Sequence, residues 1–232
     1  MSEHLEYAPE VTPPPPLPSF PVRVVQLLAA PTRLFDALRE RPVWFVALLA
    51  GALMVAASIV VIPADVWSEM ARAQMMEAGQ EVPVDLSTMG NVYRIGGAVA
   101  GLVFWFVSAA VFSGILAGVF AFVLGDRISY RQMLSGYAHA SLVAALGSLL
   151  VAPLRVIQRD PQLTLSLGTF LPGLEGYAGA FLGMLDLFGL WCYFLVALAV
   201  TRFDPRRTLG VAVGVTLGLF LAFVAVMAIF QA

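Results

Sequence analysis

Two side chains with acid–base capacity lie deep inside otherwise apolar sequence, Asp186 and His139. Five stretches, residues 43–62, 95–124, 133–154, 177–200 and 209–230, hold almost nothing else that ionises. Asp186 lies nine residues into the fourth stretch, which at 1.5 Å per residue puts it roughly 5 Å from a bilayer midplane. A charged Asp at that depth costs about 2.5–3.5 kcal/mol, so it must face the interior of a bundle. Its chemistry would be a proton or cation relay. The structural alternative is a carboxyl hydrogen-bonded to a neighbouring helix, with Ser141 or Ser148 of the third stretch at suitable depth. His139 falls roughly 10 Å from Asp186 along the membrane normal. A direct pair is therefore not expected, and a lone His beside Tyr137 reads as a hydrogen-bonded interior group. Relays need several polar groups in series, which favours the structural reading of Asp186.

Other chemistries lack their residues. There is no HExxH, no GxSxG and no acidic cluster for a metal. The chain has no lysine, which excludes a P-loop. The lone Cys192 lies within an apolar stretch, so no disulfide forms within a monomer. No basic cluster suits nucleic acid. These residues point away from an enzyme and call for no cofactor.

The elements that position Asp186 and His139 follow from length. An apolar run of roughly 20 residues spans the hydrocarbon core as a helix. The chain is 60% hydrophobic and 12% charged, with a mean hydropathy of +0.87, where soluble domains are about half apolar and a quarter charged. The expectation is an all-α, polytopic membrane protein, a bundle of five transmembrane helices over residues 43–232. The stretch 95–124, roughly 45 Å as a helix, is one crossing that tilts or protrudes. Residues 161–176 read as a loop or shallow re-entrant piece, and 63–90 as a loop with one short helix.

Ahead of the bundle, residues 1–20 are acidic and Pro-rich, a composition that stays disordered or in polyproline II. Residues 21–42 form a basic amphipathic segment suited to the membrane interface. Val24, Val25, Leu28, Leu34, Phe35 and Leu38 fall on one side, and Arg23, Arg33, Asp36, Arg39 and Glu40 on the other. Pro31 divides it, with Thr32 as the expected cap of its second half. Arginine bias sets orientation. With the N terminus inside, nine arginines (Arg23, Arg33, Arg39, Arg41, Arg127, Arg131, Arg202, Arg206 and Arg207) lie inside and four (Arg72, Arg94, Arg155 and Arg159) outside. Five crossings then leave the C terminus outside. The absence of lysine and the Ala, Gly and Pro content fit a GC-rich bacterial genome, hence the inner (cell) membrane.

Helices in lipid associate through small residues that let backbones approach. Gly210, Gly214 and Gly218 make one stripe on the last stretch, and Gly97/Gly101, Gly114/Gly118 and Gly179/Gly183 share the spacing. Packing of the long stripe within the monomer is the expectation.

Several motifs resemble the Yip-domain membrane proteins, the Ypt/Rab-interacting family. Ala30-Pro31-Thr32-Arg33-Leu34-Phe35 is similar to the family's entry sequence. Leu124-Gly125-Asp126-Arg127-Ile128-Ser129-Tyr130-Arg131-Gln132, followed by Gly136-Tyr137-Ala138, resembles its G-G-x-x-(S/T)-(F/Y)-(R/K)-Q…Y-A segment. Leu185-Asp186-Leu187-Phe188-Gly189-Leu190-Trp191 looks like its LDxFxxW stretch. The resemblance implies a five-helix bundle with a cytosolic N terminus, and an architectural role for Asp186 and Trp191. Eukaryotic relatives bind prenylated small GTPases. This chain has Leu124 where the family has the first of two glycines, and a short tail without the D-L-Y-G-P motif. GTPase recruitment is accordingly not expected.

The reading that follows is a non-catalytic scaffold or adaptor that binds membrane lipids and other membrane proteins. Its contact surfaces would be the amphipathic segment and two inner turns carrying Asp126, Arg127 and Arg131, and Arg206 and Arg207. The alternatives are a small transporter or permease subunit using Asp186 with His139, and a lipid- or envelope-organising protein.

Overall fold

The computed structural model describes residues 16–83, 85–171 and 173–231. Most of the Pro-rich tail over 1–20 lies outside that range. Among the described residues every regular element is helical, with one isolated bridge between Ser166 and Asp186. The order is α1 (Phe20–Ala29), α2 (Pro31–Glu40), α3 (Phe45–Val60), α4 (Ala64–Glu77), α5 (Ser87–Gly118), α6 (Tyr130–Gln158), α7 (Gly176–Met184), α8 (Leu187–Phe203) and α9 (Leu209–Ile229).

Three of these are long and apolar enough to cross a membrane: α5 with the π-helical turn Val119–Val123 that follows it, α6 and α9. A fourth appears only if α3 and α4, bent by 78°, count as one span. The five spans expected from the sequence thus resolve into three long helices and two broken units. Pro63 breaks the first unit. It caps α4 and cannot continue α3, because its ring and missing N–H disrupt a helix interior. The fourth apolar stretch, expected as one helix over 177–200, breaks at Leu185 and Asp186. The long second stretch is one helix, as expected, but it begins eight residues earlier, at Ser87 rather than Ile95.

Helix α6 is the axis of the molecule. Residues 133–143 are all buried, and α3, α5 and α8 pack around them with α1 and α2. Small residues make the closest approaches possible. A Cβ on Gly147 would lie 2.2 Å from Cγ of Phe188, and one on Gly136 2.8 Å from Cε2 of Phe203, both on α8. An aromatic layer joins the remaining helices. Tyr193 of α8 stacks on Phe220 of α9 at 4.4 Å, and Phe112 of α5 meets Tyr137 of α6 at 6.3 Å and Phe223 of α9 at 5.2 Å.

The glycine stripe departs from its expected place. Ala212, Thr216, Val224 and Ala228 form the buried face of α9. Gly210, Gly214 and Gly218 sit two residues out of phase with them, about 200° around the helix, and among the described residues a Cβ on any of the three would meet nothing within 4 Å. Inward packing uses the other four-residue repeat. The pair Gly179/Gly183 also serves a loop rather than a helix pair. A Cβ on Gly179 would strike the Leu174 carbonyl at 2.2 Å, and Gly183 lies against Gly168.

The amphipathic segment divides at Pro31, but not through Thr32. Ala30 occupies the N-cap and Pro31 the first helical position, where its missing N–H is harmless. Both helices dock on the bundle. Leu27, Leu34, Phe35 and Leu38 are at most 2% exposed, and α2 packs on α8.

These contacts predict opposite outcomes for two similar substitutions. Gly147→Ala drives a methyl into Phe188 and should lower stability by roughly 1–3 kcal/mol. Gly214→Ala adds a methyl to open space and should leave the monomer unchanged or slightly firmer. Thermal melts of both variants in one detergent read the difference.

Candidate functional site

The turns at 124–129 and 204–208 meet on one face of the bundle, where Asp126, Asp204, Arg206 and Arg207 are spent on contacts within and between the turns. Gly125 ends the α5 helix at φ +72, a left-handed conformation that glycine adopts without steric cost. Leu124, at φ −100 and ψ −9, occupies a region open to any residue. The missing glycine of the family's pair is therefore conformationally unimportant. Asp126 and Asp204 are 8% and 3% exposed. Arg207 donates from Nε to Asp126 Oδ2 at 3.0 Å and from Nη2 to the Leu124 carbonyl at 3.0 Å. Asp204 Oδ2 accepts from the Arg127 backbone N–H at 2.8 Å and from Arg206 Nη2 at 2.6 Å. Arg206 Nη2 also reaches the Gly125 carbonyl at 3.2 Å. The Arg206 guanidinium and the surrounding N–H donors hold the Asp204 carboxyl well below the usual carboxylate range, against the opposing effect of burial.

The N-terminal helices join this face. Asp36 of α2 accepts a two-pronged bond from Arg202 of α8, at 2.7 and 2.8 Å. Ser129 and Gln132 form a reciprocal capping box at the start of α6. Gln132 Nε2 then donates onward to the Arg39 carbonyl at 2.9 Å. One side chain thus starts α6 and anchors the end of α2.

His139 has a partner that the sequence reading assigned to the polar side of α1. Arg23 is 7% exposed, and its Nη1 lies 2.8 Å from His139 Nε2. A guanidinium only donates, so Nε2 accepts. The ring proton is therefore on Nδ1, which donates to the Ser135 carbonyl at 2.9 Å. His139 is held in one tautomer and pins α1 to α6. Ser135 Oγ in turn donates to the Val43 carbonyl at 2.8 Å, below α3. The available signal was position: Arg23 shares a helical face with Phe20 and Leu27, three residues before and four after it.

Asp186 is not inside a helix. It is the N-cap of α8, its Oδ1 accepting from the Gly189 backbone N–H at 2.8 Å. The preceding break is closed from the side. The Leu167 N–H donates to the Leu185 carbonyl and the Leu187 N–H to the Leu165 carbonyl, each at 3.0 Å. Backbone groups freed by the broken helix are satisfied by protein, as a low-dielectric setting requires. The serines proposed as partners for Asp186 are occupied elsewhere. Ser148 bonds Ser58 at 2.9 Å and Arg155 Nη1 at 3.3 Å, and Ser141 donates to the Ala138 carbonyl. On the opposite face Arg159 forks onto Glu69 and Asp65 of α4 at 2.6–2.8 Å. Hydrogen bonds from Arg159 lower both carboxyls and raise Arg159 itself.

Of the residues singled out from the sequence, the structure brings together Asp126, Arg127, Arg206 and Arg207. It keeps His139 and Asp186 apart with separate partners, and places Arg131 outside the cluster, with Arg23 and residues 42–46. Its long apolar helices define an all-helical integral membrane protein. The family model of the Yip1 domain matches residues 25–229, and the chain belongs to that family. No curated protein and no solved structure matches it.

A capping role for Asp186 predicts a specific order of variants. Asp186→Ala should lower stability by about 0.5–2 kcal/mol, while Asp186→Asn, whose side-chain oxygen still accepts from Gly189, should stay near wild type. Thermal melting in detergent gives the order. An Asn variant as damaged as the Ala variant would contradict it.

Proposed function

We propose that this protein is a non-catalytic membrane scaffold that associates side by side with another membrane protein through α9. The supporting observation is the outward stripe of Gly210, Gly214 and Gly218, where an added Cβ would meet no atom of the described residues within 4 Å. Three glycines in phase give a smooth groove that lets a second helix approach to backbone contact. The polar groups that a transporter would use are taken up in structural duties, Asp186 as a cap and His139 as a latch. The inner turns, named from the sequence as contact surfaces, bond chiefly to one another. Association therefore falls to the lipid-facing helices.

In this reading the chain crosses the bilayer five times. Helix α3 spans roughly 24 Å, and the α7–α8 unit, 28 residues long, crosses as one broken span. The face with the 124–129 and 204–208 turns is cytoplasmic, by the arginine bias, and the C terminus is outside. The membrane is the bacterial inner membrane.

The test is photocrosslinking in native membranes, with a photoreactive phenylalanine analogue at position 214 or, as control, at the buried position 216. Position 214 should give a discrete protein adduct, to a partner or to a second copy. Position 216 should give only internal links. Adducts from position 214 to lipid alone would refute the scaffold.

A further inference from the structure

The N-terminus of α3 lacks a side-chain cap, with Trp44 at the N-cap. The first backbone N–H groups of a helix have no intrahelical acceptor and carry partial positive charge. They open on a cavity of about 310 Å³ lined by Arg23, Arg131 and the segment 42–46. Among the described residues no acidic side chain lines it. Arg131 is exposed, and its side chain makes no hydrogen bond or ion pair among the described residues. Arg23 is 93% buried, its Nη1 engaged by His139, its Nε closed off, and its Nη2 without a hydrogen bond among the described residues. A buried guanidinium with a donor to spare is costly unless an acceptor completes it. Two arginines around a helix N-terminus have the donor geometry of a phosphate site.

The surroundings indicate which phosphate. One helical turn further along α3, from Val46 to Ala50, a second cavity of about 160 Å³ opens between the same three helices. It is lined by Phe20, Val24 and Leu27 of α1, Met54 of α3 and Leu142 of α6, with essentially no polar surface. Trp44 and Phe45 line the first cavity, and aromatic side chains are enriched where membrane helices meet the headgroup layer. A cationic cavity at the membrane boundary followed by an apolar one along the same helices matches the headgroup and acyl chain of one amphiphile.

We propose that Arg23, Arg131 and the N-terminus of α3 bind the phosphate of an anionic phospholipid, with an acyl chain in the adjacent apolar cavity. Basic pockets between membrane helices bind anionic headgroups in this manner. The site rests on the bilayer placement of the fold and not on the α9 contact, so each stands or falls alone.

The experiment is native mass spectrometry of the full chain, delipidated in detergent and titrated with phosphatidylglycerol or phosphatidylcholine. Wild type should retain one phosphatidylglycerol in preference to phosphatidylcholine. Arg131→Gln should weaken that retention on the order of tenfold, the value of a charge-assisted hydrogen bond, with an unchanged melting temperature in lipid-free detergent. Arg33→Gln should change nothing. Arg33 lies on the same face but lines a different cavity with Asp36 and Glu40. Wild-type retention by Arg131→Gln, or an equal loss in Arg33→Gln, would overturn the site. Displacement of the lipid by glycerol phosphate at comparable concentration would show a site for a soluble phosphate and would equally overturn the lipid assignment.

Discussion

Hydrocarbon offers no hydrogen bonds, so polar groups inside the bundle are costly unless partnered, and most find their partners within the chain. That constraint organises the molecule around α6. His139 bonds Ser135 and Arg23, Ser135 reaches Val43, and Ser148 joins Ser58 and Arg155. The bonds to Arg23, Val43 and Ser58 tie α6 to other elements, so the polar groups act as connectors among close-packed apolar surfaces. The broken α7–α8 unit obeys the same rule, because the 165–167 segment supplies backbone partners where the helix stops.

The family motifs acquire a shared physical meaning in this structure. Gly125 ends one helix, Asp126 and Arg127 join the neighbouring turn, Ser129 and Gln132 begin the next helix, and Gln132 holds α2. Asp186 begins α8, and Phe188 two residues later fills the space left by Gly147. These residues determine where helices begin and how they cross. Their spacing in the sequence is the spacing of helix ends, which explains why a motif without catalytic residues can mark a family.

Much of this was legible in the sequence, because apolar length and Pro31 are local signals. The helical class, the long second apolar helix, the short helix within residues 63–90 and the division of the N-terminal segment all follow from such signals. The break at Leu185 was not legible. Apolarity continues across it, and the signal, an N-cap aspartate followed by a helix, is masked by hydrophobic flanks on both sides. Arg23 was misplaced because a charge was assigned to the wet side, whereas its acceptor, His139, is 116 residues away. The direction of the α9 glycine stripe was equally beyond reach. Two four-residue repeats run along that helix, and only packing decides which turns inward.

The central claim is that α1, α2 and the turns at 124–129 and 204–208 occupy one side of the membrane while α4 and the 159–166 segment occupy the other. Labelling single cysteines with a membrane-impermeant thiol reagent in whole cells, in a Cys192→Ala background, tests it directly. Glu40→Cys and Pro205→Cys should be labelled together, and only after permeabilisation, while Gly79→Cys and Gln162→Cys should be labelled in intact cells. Labelling of positions 40 and 205 from opposite sides would contradict the account.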